Sequence, residues 1–175
     1  KITYSTNLYK FQNVVEKKFN KKFTNYKKFW QWSNSNSDQF WSFLIEHFEI
    51  PLTKKKTFKV LNLKSDFWRT VFFDKSLVNY YQLIFNNVSQ DLAIHFVGEN
   101  EFEEKLTYKN LNDRVNSLSN YFKSLNIKKG DVIAGYLPNI PDTIISFLAA
   151  AKIGAVWSSC SSDFGIKAVV DRFSQ

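Results

Sequence analysis

The sequence predicts an α/β protein in which a helical amino-terminal cap region precedes the start of a doubly wound domain with a βαβ unit. Three patterns indicate this fold. Apolar residues among the first 50 positions recur every three or four residues, as in amphipathic helices. Residues 92–97 have the pattern of a strand, and residues 132–160 have that of a strand, a helix and a second strand with short connections. Such a succession is typical of a parallel sheet.

The first half is predicted to be helical. Helical spacing of apolar residues runs from Leu8 to Phe29 and predicts one amphipathic helix there. Residues 33–37 are polar and predict a turn, after which Asp38 begins a second helix that Pro51 ends. The broad apolar face of that helix consists of Phe40, Trp41, Leu44, Ile45 and Phe48.

A mixture of helices and strands is predicted between residues 54 and 107. Lys54, Lys55 and Lys56 with a strand-like segment over 57–63 form a connection, and helical spacing returns from Ser76 to Phe85. A strand over 92–97 turns at residues 98–100 into a second short strand that ends near Leu106.

A long helix and a βαβ unit complete the chain. Thr107 is predicted to cap the helix, whose apolar stripe runs through Leu111, Val115, Leu118, Phe122 and Leu125 to a turn at residues 128–131. Residues 132–137 are apolar at every position, as in a buried parallel strand. A helix from Pro141 to Ile153 ends at Gly154, and residues 155–160 form the next strand before a further helix from about Gly165.

Composition excludes several classes of protein. Hydrophobic residues make up 44% of the 175 positions and charged residues 23%, which is typical of a globular chain. The single cysteine, Cys160, excludes an internal disulfide and a cysteine-rich zinc site and favours a reducing, cytoplasmic setting. No apolar run is long enough to span a bilayer. Because the sequence starts at Lys1 and has no methionine, we expect it to be part of a longer chain.

Positive charge is concentrated at the front of the chain. Residues 1–64 carry 13 lysines and four acidic residues, a net charge of +9, whereas residues 65–175 have a net charge of −1. Lysine pairs beside Phe19, Phe23, Phe29 and Trp30 would suit a module that binds nucleic acid or an anionic membrane surface. The competing interpretation is that the lysines are the solvated faces of helices whose aromatic residues form a core.

Catalytic signatures are missing from the sequence. Glycine-rich phosphate loops, the nucleophile elbow and the zinc-protease motif do not occur. His47 in a predicted helix and His95 in a predicted strand are expected to be structural or surface imidazoles, and Cys160 a small core residue. The candidate site is therefore the carboxyl edge of the parallel strands, where the loops 138–141 and 161–163 emerge.

Several segments resemble the early AMP-binding domain of the adenylate-forming acyl-CoA synthetases. They are KGDVIAGYLPNIPD at 129–142, FLAAAKIGAVWSSCSSDFG at 147–165 and DRF at 171–173. The motif from Trp157 to Gly165 is similar to that of the branch that acts on acetoacetate. Residues 32–41 and 72–80 resemble the cap region of the same enzymes. The resemblance implies an amino-terminal extension over 1–28, a cap region over 29–88 and an incomplete AMP-binding domain over 89–175.

This resemblance implies a ligase that uses ATP, Mg²⁺ and CoA. Acetoacetate would become an acyl-adenylate with release of pyrophosphate, and the thiol of CoA would then displace AMP. Acetate or propionate remain alternative acids. The family's ATP-binding loop, acid pocket and catalytic lysine come later in its chains, so residues 1–175 alone are expected to bind neither ATP nor acid. The residues implied on the CoA side are Ser161, Ser162 and Asp163.

Overall fold

The computed structural model describes residues 5–53, 61–62, 66–74 and 76–175. The chain divides into two compact units: Lys1–Ile50 with Lys54–Ser76, and Pro51–Thr53 with Leu77–Gln175. Each unit is described by itself.

Three helices make up most of the described part of the first unit. They are α1 (Asn7–Phe19), α2 (Tyr26–Ser35) and α3 (Ser37–His47). The hydroxyl of Thr6 caps α1 by accepting a hydrogen bond from the backbone N–H of Tyr9 at 3.2 Å. The side-chain oxygen of Asn25 caps α2 in the same way, at 3.0 Å from the N–H of Lys28.

The prediction of one helix from Leu8 to Phe29 is wrong. Asn20 takes the left-handed conformation with φ 48° and ends α1, and asparagine tolerates that conformation better than most residues do. The predicted turn over 33–37 is also wrong, because those residues are helical except for Asn36, which alone separates α2 from α3. Helical spacing continues across the break at Asn20 because the loop residue Phe23 still packs on the core.

Aromatic residues build the core of the first unit. Val15, Phe29 and Phe43 are buried, and half-buried aromatic residues surround them: Phe11, Phe19, Phe23, Trp32 and Phe40. The predicted helix from Asp38 is confirmed and begins one residue earlier, at Ser37. Its face differs from the prediction, since Phe43 is its buried residue whereas Phe48 is 56% exposed.

Two short strands also belong to the described part of this unit. β1 (Leu61–Asn62) pairs with β2 (Val71–Phe72) in antiparallel register, and a 3₁₀ turn spans Phe67–Arg69. Residues 61 and 62 therefore confirm part of the strand predicted over 57–63. The rest of that strand, and the lysines at 54–56, lie outside the described residues.

The second unit alternates helices and strands as predicted. Its elements are α4 (Tyr80–Ile84), β3 (Leu92–Val97), β4 (Glu103–Thr107), α5 (Tyr108–Ser124), β5 (Val132–Tyr136), α6 (Pro141–Ile153), β6 (Val156–Cys160) and α7 (Ile166–Phe173). The helix predicted from Ser76 starts only at Tyr80. The side chain of Asn79 accepts a hydrogen bond from the N–H of Tyr81 at 2.9 Å and so fixes the first turn there.

Strands β3 and β4 form an antiparallel hairpin that packs against α5, which in turn packs against α6. The predicted cap is confirmed, because the hydroxyl of Thr107 accepts a hydrogen bond from the N–H of Asn110 at 3.1 Å. The predicted stripe of α5 is correct up to Phe122, but Leu125 lies beyond the helix and is 54% exposed. The core consists of Phe85, Leu106, Leu111, Val115, Ile145, Leu148 and Ala149.

The βαβ unit is confirmed. β5 and β6 are parallel neighbours in a register that runs from Val132 beside Val156 to Tyr136 beside Cys160. Gly154 ends α6 in the left-handed conformation, with φ 77°. The prediction that β5 is buried is wrong for one of its faces: Val132 is 67% exposed and Tyr136 50%, whereas Gly135 on the other face is buried.

Candidate functional site at the carboxyl ends of β5 and β6

Two loops leave the parallel strands side by side. The first follows β5 and contains Pro138 and Asn139, and the second follows β6 and runs from Ser161 to Gly165. The N–H of Leu137 donates to the carbonyl of Cys160 at 3.3 Å and continues the strand pairing to the point where the loops begin. The fold therefore brings together both segments that the sequence predicted to form a site.

The loop after β6 is held by its own side chains. The hydroxyl of Ser161 lies 3.1 Å from the carboxylate of Asp163 and 3.4 Å from the backbone N–H of the same residue. The N–H of Phe164 donates to the carbonyl of Ser161 at 3.1 Å and closes a turn. Asp163 is therefore engaged within the loop, and α7 begins at Ile166, after the N-cap residue Gly165, without a side-chain cap.

Tyr136 fixes this loop from the neighbouring strand. Its hydroxyl lies 2.9 Å from the carbonyl oxygen of Ser162 and 3.0 Å from that of Phe164. The exposed tyrosine thus connects the end of β5 to the loop that follows β6. Because Tyr136 belongs to β5, the loop after β6 is held by a residue of the neighbouring strand as well as by its own side chains.

The loop after β5 is equally well fixed. The hydroxyl of Thr143 donates to the carbonyl of Pro138 at 2.6 Å, and the N–H of Ile140 donates to the same oxygen at 3.0 Å. Pro141 occupies the first turn of α6, where its missing N–H costs no hydrogen bond. Asp142 in that turn pairs with Arg114 of α5 at 2.5 Å.

An open cleft of about 300 Å³ lies between the two loops. It is lined by Leu137, Pro138, Asn139, Thr143, Ser159, Cys160, Ser161, Phe164 and Arg172. Of the three residues that the resemblance implied, Ser161 lines the cleft, whereas Ser162 and Asp163 lie next to it. The loop from Ser161 to Asp163 and the cleft together form the candidate site.

Sequence reasoning missed three polar side chains of this cleft, Thr143, Ser159 and Arg172, and did not single out a fourth, Asn139. Asn139 lies in a loop that was predicted to belong to the site, so its position was available from the sequence. Arg172 is six residues into α7, and its place in the cleft follows from helical geometry, because side chains on a helix point back toward its amino end.

The position of the Trp157 ring near the cleft depends on one glycine, Gly135. A Cβ atom at Gly135 would lie 2.6 Å from the indole ring of Trp157, so only glycine leaves room for the ring in this position. The indole N–H donates to the hydroxyl of Ser159 at 3.1 Å. Trp157 therefore links the buried glycine of β5 to a side chain that lines the cleft.

The two histidines weighed as candidates make contacts within their own units, and Cys160 is buried although it lines the cleft. His47 packs against the rings of Phe11 and Phe43, at 5.4 and 5.6 Å between centroids. His95 is on the exposed face of the hairpin, 3.3 Å from Glu103. Cys160 is 7% exposed and free, as expected for a small core residue.

Neither a metal cluster nor a spanning helix was found in the described part of the chain. Over residues 5–53, 61–62, 66–74 and 76–175, no group of three His, Cys, Asp or Glu side chains could hold a metal ion. None of the helices described there combines the length and apolarity that crossing a membrane requires.

Comparison with known proteins gives one family and a consistent set of relatives. The family described as "AMP-binding enzyme" matches residues 86–175. Acetoacetyl-coenzyme A synthetase of Rhizobium meliloti is 33% identical over 158 residues, which are 90% of this chain and 24% of that protein. Acetoacetyl-CoA synthetase of Xenopus tropicalis is 33% identical over 172 residues, covering 97% of this chain and 26% of the relative.

Solved structures agree with the sequence relatives. Acetoacetyl-CoA synthetase from Streptomyces lividans superposes with a TM-score of 0.74 at 29% identity and covers 87% of this chain and 24% of that one. An acyl-CoA synthetase of Brucella canis gives a TM-score of 0.52 at 27% identity, over 55% of this chain and 18% of the other. The chain thus spans about a quarter of the length of the curated relatives it matches.

Proposed function

Because the chain belongs to the family of AMP-binding enzymes, we propose that the whole protein is an acid–thiol ligase that converts acetoacetate, ATP and CoA into acetoacetyl-CoA, AMP and pyrophosphate. The observation that carries this proposal is the run of relatives named acetoacetyl-CoA synthetase, which match 86–98% of the chain at 31–33% identity. The superposition on the Streptomyces lividans enzyme also supports it.

The reaction has two steps. In the first, an oxygen of the acetoacetate carboxylate forms a bond to the α-phosphorus of ATP, accompanied by Mg²⁺, and the bond to pyrophosphate breaks. In the second, the sulfur of CoA, having lost its proton, bonds to the acyl carbon, and the bond between that carbon and the AMP oxygen breaks. Adenylation is needed because a free carboxylate offers only oxide as a leaving group.

We place the loop from Ser161 to Asp163 on the CoA side of this reaction. Two observations support the assignment: the loop lies at the carboxyl edge of parallel strands, where open α/β sheets bind ligands, and it is fixed by Tyr136 and by its own hydrogen bonds. A loop that is held in one conformation before its ligand arrives loses less entropy on binding.

We also propose the division of the chain into an extension over 1–28, a cap region over 29–88 and the start of the AMP-binding domain over 89–175. The family match from residue 86 and the change of compact unit between Ser76 and Leu77 support a boundary near that region.

A panel of short acids tests the proposed activity. The full-length protein is incubated with ATP, Mg²⁺ and CoA, and pyrophosphate release is followed with acetoacetate, acetate and propionate in turn. We expect acetoacetate to give the highest kcat/KM. A preference for acetate or propionate would contradict the assigned acid and leave the ligase class standing, while no acid-dependent pyrophosphate release would contradict the class itself.

A further inference from the structure

We propose that the cleft between the two loops binds a phosphate group of a nucleotide substrate, with Arg172 as its cation and Ser159 and Asn139 as neutral donors. This inference rests on the proposed function for the identity of the nucleotide, which is ATP or CoA. The binding site itself is argued from the side chains of the cleft.

Arg172 differs from the other two arginines of the chain in its pairing. Arg69 lies 3.3 Å from Asp66, and Arg114 pairs with both Glu104 and Asp142. Among the residues that the structure describes, none forms an ion pair or hydrogen bond with Arg172, although its side chain lines the cleft. Its five N–H donors are therefore available in the planar arrangement that fits two phosphate oxygens at once.

Two neutral donors in the cleft are also available. The hydroxyl oxygen of Ser159 accepts the indole N–H of Trp157 at 3.1 Å, which leaves the hydroxyl proton free to donate. The side-chain amide of Asn139 has no hydrogen bond within the described ranges and carries two N–H donors. By contrast, Thr143 and Ser161 already donate to the carbonyl of Pro138 and the carboxylate of Asp163.

The charges around the cleft favour an anion. None of its lining residues is acidic, and Arg172 is the only ionised side chain among them. The nearest loop carboxylate, that of Asp163, accepts a hydrogen bond from Ser161 and does not line the cleft. A phosphate entering the cleft would thus meet a guanidinium without a competing carboxylate in its lining.

The size and place of the cleft fit part of a larger ligand. The cleft volume of about 300 Å³ is at the lower end of the range of small-molecule sites. This volume is ample for a phosphate group. The rest of the nucleotide would extend into solvent or toward other parts of the protein. The cleft opens at the carboxyl ends of parallel strands, where ligands of open α/β sheets bind.

Calorimetry on the full-length protein tests this site without catalysis. CoA, dephospho-CoA and ATP with Mg²⁺ are titrated separately, in the absence of any acid, into the wild type and Arg172→Ala. We expect the variant to bind CoA or ATP roughly tenfold more weakly, since an ionic hydrogen bond to a phosphate is lost. Weaker binding of ATP identifies its phosphates as the ligand, and weaker binding of CoA identifies those of CoA.

Dephospho-CoA locates the phosphate within CoA. If Arg172 holds the 3′-phosphate, the variant loses the wild type's preference for CoA over dephospho-CoA. If it holds the diphosphate, both ligands weaken equally. Arg172→Lys keeps the charge and is expected to recover part of the affinity.

Lys167→Ala is the matched control, because Lys167 is an exposed cation of the same helix that does not line the cleft. Its affinities should equal those of the wild type. Equal affinities of Arg172→Ala and Lys167→Ala for both nucleotides, in folded proteins with matching melting curves, would overturn the proposed site. Failure of the proposed function would instead appear as absent acid-dependent turnover in the wild type, which these titrations do not require.

Discussion

Gly135 shows how one missing side chain shapes the site. The indole of Trp157 occupies the space where a Cβ would stand, at 2.6 Å, and reaches Ser159 from there. We predict that Gly135→Ala displaces the indole and lowers the free energy of unfolding by about 1–3 kcal/mol, as overpacking usually does. Thermal or urea unfolding, with tryptophan fluorescence as the signal, measures the change.

Gly165→Ala provides the comparison for this variant. A Cβ at Gly165 meets nothing within 4 Å, and its backbone has φ −67°, which any residue can adopt. We expect a change of only a few tenths of a kcal/mol, from the weaker helix cap that alanine makes. Equal destabilisation by the two substitutions would show that the contact with Trp157 is unimportant.

Asp163 is predicted to act through the shape of its loop. Its carboxylate and N–H both bind the hydroxyl of Ser161, so Asp163→Ala removes one side of this local turn. In the full-length protein we expect the KM for CoA to rise several-fold while acid-dependent ATP–pyrophosphate exchange stays nearly constant, since only the second step of the proposed reaction uses CoA.

A second copy of the same motif controls for stability. Ser89 and Asp91 make the equivalent hydrogen bonds, at 2.9 and 3.2 Å, in the loop before β3. Asp91→Ala should alter the melting temperature to a similar extent and leave the KM for CoA unchanged. An unchanged CoA KM in a stably folded Asp163→Ala enzyme would reduce the loop to a structural role.

Glu103 gives the hairpin a small dependence on pH. Its hydrogen bond to Lys105, followed by its hydrogen bond and charge interaction with His95, lowers the pKa of this exposed carboxyl. A lowered pKa in the folded state means that the ionised carboxylate adds stability at neutral pH, and that this contribution is lost as the pH falls through the folded-state pKa.

Glu103→Gln tests this expectation. The variant should melt slightly below the wild type at pH 7, and the two melting curves should converge under acid conditions, where both side chains are neutral. Glu99→Gln removes an exposed carboxylate that has no ion pair in the described part of the chain, and we expect little change at either pH. A difference between wild type and Glu103→Gln that persists at low pH would contradict the assigned cause.

At the scale of elements, Arg114 connects three parts of the second unit. From α5 it reaches Glu104 of β4 at 2.7 Å and Asp142 in the first turn of α6 at 2.5 Å, and all three side chains are partly exposed. We predict that Arg114→Met lowers the free energy of unfolding by about 1 kcal/mol, the upper end for ion pairs that water still reaches.

Lys109→Met is the matched control on the same helix. Lys109 pairs with Asp113 one turn away at 2.8 Å, and both side chains are more than half exposed. Pairs of this kind contribute about 0.2–0.5 kcal/mol. A loss from Arg114→Met no larger than that from Lys109→Met would indicate that the link between β4 and α6 adds nothing to stability.

Helices and strands were predictable where their cap residues and their apolar spacing agree with the packing of the core. In the second unit, caps such as Thr107 and Gly154 stand where the apolar pattern begins or ends, and the predicted strands and helices are confirmed there. In the first unit, apolar spacing continued through Asn20 because Phe23 belongs to the same core although it lies outside a helix. The spacing of apolar residues indicates which residues are buried. It does not indicate whether one uninterrupted helix connects them.

The candidate site was predictable in part for a similar reason. Its position at the strand ends follows from the order of elements, and Ser161 lines the cleft there. That Ser161 contacts CoA stays a prediction. Arg172 was missed because its place in the cleft depends on how α7 packs beside β6, which no local pattern reports. Partners distant in sequence, such as Tyr136 and Ser162, leave no pattern that a single sequence reveals.

At the scale of the whole molecule, the charged and the apolar side chains of the first unit occupy different places. The phenylalanines between the lysine pairs, Phe19, Phe23 and Phe29, pack inward, whereas the lysines beside them are exposed. Lys18 is the one among the lysines of residues 5–53 that forms an ion pair, with Glu46 at 3.2 Å. This arrangement supports the interpretation that the lysines solvate helix faces. Of the four rings named beside the lysine pairs, Trp30 is the exposed one, at 51%.

Nucleic-acid affinity should therefore be weak, indifferent to base sequence and governed by salt. Counterion release from a few lysine–phosphate contacts predicts a loss of roughly a hundredfold in affinity between about 50 and 200 mM salt. Fluorescence anisotropy with two single-stranded oligonucleotides of unrelated sequence measures both properties on the chain. Lys21→Glu combined with Lys22→Glu should weaken the binding at low salt further, whereas Trp30→Ala should leave it unchanged, because stacking contributes only where a base meets an aromatic face. Tight binding at physiological salt that Trp30→Ala abolishes would instead support a nucleic-acid-binding module at the front of the chain.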